Sequence, residues 1–166
     1  MRLALESHIH IQAFLRTHFE NEILKLPPVH IHLGRWANLL TGAFGILAIT
    51  FGRHIFVAST VIERDDSGRL TVPAKLIAHE ATHIVQYQQA GLLGFLLSYL
   101  AEYKRAIVGQ GQGLGKAARG AAYFAIKHER EAYGAESAYM GWIAREAAVI
   151  SSDPADGLEA KTEVDG

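Results

Sequence analysis

Apolar residues recur at Leu5, Ile9, Ala13 and Leu24 with charges between them, a helical spacing that predicts a first helix within residues 3–24, stopped by Pro27-Pro28. Beyond the prolines the period changes. Val29-His30-Ile31-His32-Leu33 alternates with period two, and residues 46–51 and 54–62 are rich in Ile, Val, Phe and Thr on either side of Gly52-Arg53, which predicts two or three short antiparallel strands. Residues 63–69 carry Asp65, Asp66 and Gly68 and read as a polar turn that closes the strand region.

Helical spacing returns after Thr71-Val72-Pro73, where a possible N-cap precedes a proline; Leu76, Ile77, Ala81, Ile84 and Val85 carry a second helix to Ala90-Gly91. A third helix is expected over residues 92–108. Its Leu92, Leu93, Phe95, Leu96, Leu97 and Leu100 cover nearly all sides, which suits core burial first and a partner or membrane surface second. The run Gly109-Gln110-Gly111-Gln112-Gly113-Leu114-Gly115 breaks that helix and fits neither a dinucleotide nor a phosphate loop, so it reads as a hinge or connection. An alanine-rich helix over residues 116–150 follows. At the end, Asp153, Asp156, Glu159, Glu163 and Asp165 face Lys161 alone, which predicts a disordered acidic tail at 151–166 behind a single domain at 1–150.

The 166 residues suit one such domain with a real core. A formal net charge of -1, or +3 without the tail, gives no basic excess for nucleic acid to recognise. The chain has no cysteine, so disulfides, thiolate metal sites and thiol nucleophiles are excluded. Glu6 and His8 interrupt the N-terminus before any signal-peptide core forms, and Asn38 and Thr41, or Gln86, Gln88 and Gln89, interrupt the longest uncharged runs. A cytoplasmic protein without membrane association is expected, with export by a signal-independent route left open.

The chemistry concentrates in His79-Glu80-Ala81-Thr82-His83, an H-E-x-x-H run inside the second helix. At about 100° per residue, His79 and His83 fall on one helix face, at a spacing that can chelate one divalent cation. Glu80 lies at the edge of that face, where a carboxylate can take the proton of a metal-activated water that attacks a carbonyl. Zinc in such a site needs a third protein ligand. A glycine three residues after His83 and a histidine six after it would give one, but Gln86 and Gln89 stand there.

The stretch Leu76 to Gln89 resembles the zincin metallopeptidases, especially small bacterial domains with an H-E-x-x-H-x-V-Q signature found near secretion and toxin systems. The likeness covers about residues 46–140. It implies an α+β zincin-like fold with a small, mostly antiparallel sheet, a bound Zn2+, and a peptide or protein substrate. Downstream, Lys127-His128-Glu129-Arg130-Glu131-Ala132 resembles the E-x-E-A stretch by which the glutamate-ligand zincins complete their metal site, and Glu129 carries over as the ligand. Tyr133 departs from the family, which commonly has aspartate there. Glu129, Tyr133, Glu136 and Met140 form one helical stripe, with Glu131 about 200° away from Glu129, so only one of the two glutamates can face the metal.

The activity expected is zinc-dependent peptide hydrolysis, with residues 54–62 as an edge strand for substrate pairing. Tyr103, Arg105, Tyr123 and His54 stand unranked as oxyanion stabilisers. The rival expectation is a non-catalytic accessory module of a secretion or toxin system that retains a metal. His30 and His32 share a strand face but read as surface imidazoles, as do His8 and His10.

Overall fold

In the computed structural model of the protein, the first helix, α1 (Leu5–His18), buries Ile11, Phe14 and Leu15. It ends before the prolines, because Glu20 turns the backbone left-handed at φ 50° and the chain doubles back. Gln12 Oε1 accepts the Leu26 N–H at 2.9 Å and Arg16 Nε donates to the Leu24 carbonyl at 2.9 Å, which fixes the returning segment. The structure describes residues 1–66, 68–109 and 116–151; the glycine-rich run from 110 to 115 and the acidic tail from 152 onward lie outside the described residues.

The architecture is α+β. Three strands, β1 (His30–His32), β2 (Ala48–Phe51) and β3 (His54–Val57), form a mixed sheet in the order β1-β3-β2. β2 and β3 are an antiparallel hairpin turned at Gly52-Arg53, but β1 pairs parallel with β3, His30 opposite His54. The expected antiparallel pairing holds for β2 with β3 and not for β1 with β3. A helix absent from the sequence reading, α2 (Arg35–Phe44), carries the chain from β1 to β2 at the far edge, and the hairpin then returns β3 between them, parallel to β1. Among its described side chains Ala37 and Thr41 are buried, while Trp36, Leu39 and Leu40, at helical spacing, are exposed.

The strand expected over 54–62 stops at Val57, and Ser59–Val61 forms a short 3-10 turn whose Ser59 N–H donates to Asn38 Oδ1 at 2.7 Å. β3 is the central strand and offers no edge for substrate pairing; β2 and β1 are the edges. The polar turn is spanned by a two-residue pair, β4 (Glu63–Arg64) and β5 (Leu70–Thr71).

The second and third predicted helices are one run, α3 (Ala74–Gly109), broken at Gly91, whose φ of 71° and ψ of 163° suit glycine. Beyond the break only Phe95 is buried, and Leu93, Leu97 and Leu100 are 74%, 67% and 62% exposed. That corrects the expectation that this helix fills the core. The long helix divides into α4 (Lys116–Ala125) and α5 (Lys127–Ser151), where the Lys127 N–H donates to Glu102 Oε2 at 2.6 Å and starts the new helix. Nothing in the sequence marks that break.

One core joins α1, the inner sheet face (Ile31, Ala48, Ile55, Val57), the first half of α3 and the middle of α5. Ala78 and Ala81 of α3 and Ala132 and Ala135 of α5 are all fully buried, and side chains this small let helix backbones approach closely. That close seam sets the site. No helix among the described residues is long and apolar enough to cross a membrane.

Candidate metal centre

His79 and His83 project from adjacent turns of α3 with ring centroids 5.1 Å apart. The alanine seam brings the first turn of α5 against them. His79 Nε2 lies 3.6 Å from Glu129 Oε2, and His83 Nε2 lies 3.6 Å from Glu129 Oε1. The three residues are buried and form a group that could hold a metal ion, with their ligand atoms within 4.8 Å of one another. Ligands held tetrahedrally at about 2.0–2.1 Å from zinc stand roughly 3.3–3.4 Å apart, close to the observed separations.

Glu129 Oε2 and His79 Nδ1 are buried without a hydrogen-bond partner. An unpartnered buried carboxylate oxygen facing an imidazole, as Oε2 faces His79, is costly unless a cation or proton sits between them. The donor set, two nitrogens and one carboxylate, fits zinc with one coordination position left open.

The surrounding side chains orient these groups. Gln86 Oε1 contacts His83 Nδ1 at 2.8 Å, while Gln86 Nε2 donates to Glu131 Oε2 at 2.7 Å and to the His128 carbonyl at 3.0 Å. Glu131 is thus outside the group but linked to it through Gln86. Glu136 Oε2 lies 3.4 Å from His79 Nδ1, and the Tyr133 ring stands edge-on to His79 at 4.6 Å. Glu136 therefore stands where an outer carboxylate is useful, one turn beyond Tyr133. Tyr99, from α3 beyond the Gly91 break, donates to Glu129 Oε1 at 2.9 Å, and Tyr123 of α4 helps to hold the Glu129 charge.

Glu80 points toward the sheet. Its Oε2 accepts the Thr50 hydroxyl at 2.6 Å, and it is 4% exposed, so burial raises its pKa above the ordinary carboxylate value. Glu129 shows the opposite balance. Burial opposes its charge, but His79 and His83 hold it far below the usual carboxylate range. Burial disfavours charge on His83 as well, yet Glu129 more than offsets it and pushes its pKa up to about 9. Burial, reinforced by the Glu129 charge, raises Tyr99 and Tyr123, which therefore stay protonated donors.

Sequence reasoning missed Thr50, Tyr99 and the role of Gln86. Gln86 was within reach, as the glutamine of the H-E-x-x-H-x-V-Q run; Thr50 and Tyr99 meet the site only through folding. Of the oxyanion candidates, Tyr123 reaches the site through Glu129, and Tyr103 neighbours Tyr99. Arg105 lines a surface groove with Glu102, Lys127 and Arg130, and His54 lies on the sheet against His32.

The fold and this group define an α+β domain with a buried two-histidine, one-glutamate cluster suited to a metal. A family model described as the eCIS core domain matches residues 7–91, just over half of the chain, and the chain belongs to that family. The name refers to extracellular contractile injection systems and associates the chain with secretion and toxin delivery. The matched span includes Thr50, His79, Glu80, His83 and Gln86 and ends at Gly91, before Glu129. No curated protein and no solved structure matches the chain.

Proposed function

We propose that this chain is a zinc-holding component of an extracellular contractile injection system, and that its centre hydrolyses peptide bonds in the manner of the zincins. The observation that carries the hydrolytic reading is the placement of Glu80, a buried carboxylate of raised pKa beside His79 and oriented by Thr50. His79 and His83 would hold the ion through Nε2, and Glu129 through its carboxylate. Zinc there would supply Lewis acidity toward a water or a carbonyl oxygen. Glu80 would take the proton on the oxygen that Thr50 leaves free and return it to the leaving amine, a task that burial, by raising its basicity, assists. Gln86 and Glu136 would keep the imidazoles turned toward the ion.

The test is Glu80→Gln, which keeps the side-chain shape but cannot accept a proton. We expect unchanged zinc content and loss of peptide-library cleavage by at least about a hundredfold, in line with the weight of general base catalysis. Equal cleavage by variant and wild type would sink the mechanism.

A second reading, an accessory module that keeps its metal without turnover, draws support from family membership and from burial. His79, Glu80, His83 and Glu129 are each 6% exposed or less, so a substrate has little room to reach them. Zinc binding with no cleavage by the wild type, alone or with its injection-system partners, would favour this reading.

A further inference from the structure

A second cluster of imidazoles stands on the opposite side of the sheet from the buried centre. His30 and His32 are two apart on β1, so their side chains leave the same face, the one opposite the buried Ile31. His54, on the neighbouring β3, is the register partner of His30. Its ring sits midway between the other two, 5.2 Å from the His30 centroid and 5.1 Å from that of His32. His32 Nε2 and His54 Nδ1 are 2.9 Å apart, and Phe56 stacks on His32 at 4.7 Å.

We propose that His30, His32 and His54 form a second divalent-cation site of the borderline class to which zinc belongs, on the outer face of the sheet. Two histidines at i, i+2 on one strand and a third on the strand beside it can supply three nitrogens to one side of an ion, leaving the solvent side for water. That is the three-histidine, open-position donor set suited to zinc. The 2.9 Å pair needs to open by only about 0.4 Å to reach the nitrogen separation of tetrahedral zinc. Rotation about χ2, which is broad for histidine, supplies this and turns His30 inward. All three residues are partly exposed, so an ion can enter without unfolding anything. The charges of Arg53 and Arg2 act on His30 and oppose a cation, which makes this the weaker of the two sites. It shares no residue with the buried centre and does not depend on hydrolysis.

Zinc alone, titrated calorimetrically into metal-stripped full-length protein, tests the proposal. We expect two equivalents, one tight and one weaker. The double variant His32→Ala/His54→Ala should lose the weaker equivalent and keep the tight one, with an unchanged circular dichroism spectrum. His30→Gln, which keeps bulk, should weaken the same equivalent about tenfold or more. His8→Ala/His10→Ala should leave both. A single equivalent in the wild type, survival of the weaker one in the double variant, or its loss in the His8/His10 control would each overturn the site.

Discussion

Removal of each glutamate in turn separates ligand from support. Glu129→Gln preserves volume but takes away the one carboxylate among the described residues that reaches both imidazoles, at 3.6 Å from each. Glu131→Gln breaks a different chain: Glu131 holds Gln86 at 2.7 Å, and Gln86 holds His83 Nδ1 at 2.8 Å, so its influence reaches the ion through two hydrogen bonds. Outer partners of metal ligands are typically worth about 10–100-fold in affinity, and a partner one link further out belongs at or below the lower end. We therefore expect Glu131→Gln to weaken zinc binding by about tenfold at most. Glu129→Gln, which removes a charged ligand, should weaken it by more than about a hundredfold, or roughly 2.8 kcal/mol. Competition with a chromophoric chelator at pH 7 measures both, and circular dichroism confirms that each variant is folded. A larger loss for Glu131→Gln than for Glu129→Gln would refute the ligand assignment and the packing of α5 that it follows from.

Gln86→Ala should weaken zinc binding by about 10-fold or more, since it frees His83 to rotate, and should cost about 1–3 kcal/mol of stability in denaturant melts through the groups it leaves unpaired. The metal-free protein should lose thermal stability as pH rises from about 6.5 toward about 9. His83 has its pKa raised on folding, so its stabilising contribution is complete below the unfolded value and disappears above the folded one. Zinc-loaded protein should not show that slope, because a bound imidazole carries no titrating proton; equal slopes would contradict the His83–Glu129 pairing. Phe14→Ala should cost about 3–5 kcal/mol in urea unfolding, because Phe14 is 2% exposed and packs edge-on against Tyr139 and Trp142.

The parts of this molecule legible in the sequence are those with local signatures. Periodicity shows α1, the first half of α3 and the helical character of residues 127–151, and the H-E-x-x-H spacing names His79, Glu80 and His83 without reference to anything distant. What stayed hidden was long-range. Thr50 and Tyr99 each lie 30 residues from the site carboxylate they bond to, and no local pattern marks either. α2 was missed although Trp36, Leu39 and Leu40 recur at helical spacing, because the stretch between Gly34 and Gly45 reads only as part of an uncharged run. The parallel pairing of β1 with β3 hid because it depends on the β2–β3 hairpin inserting β3 beside β1, a placement no local pattern marks. His30 and His32 read as two surface histidines because His54, which joins them, comes from another strand.

The distribution of burial bears on whether an ion at His79, His83 and Glu129 serves as a staple or as a reagent. Small domains that depend on a structural metal lack a core sufficient to fold without it. Here α5 delivers Ala135, Tyr139 and Trp142 to the same core that holds Phe14 of α1 and Ile84 of α3, and Ala132 closes the seam. At about 25 cal/mol per Å2 of apolar surface, side chains of this size supply several kcal/mol toward docking α5 before any metal is considered. A metal placed solely to hold α5 would be redundant with that packing, and would leave unexplained why Glu80 is buried at some cost and oriented by Thr50 beside the ligands. Both facts fit a group kept for proton transfer, whose burial is offset by the surrounding core. The staple reading requires instead that metal removal lower the melting temperature of the Glu80→Gln variant and the wild type alike, and by enough to unfold α5; a metal-free protein that keeps its helical spectrum would remove its main physical support.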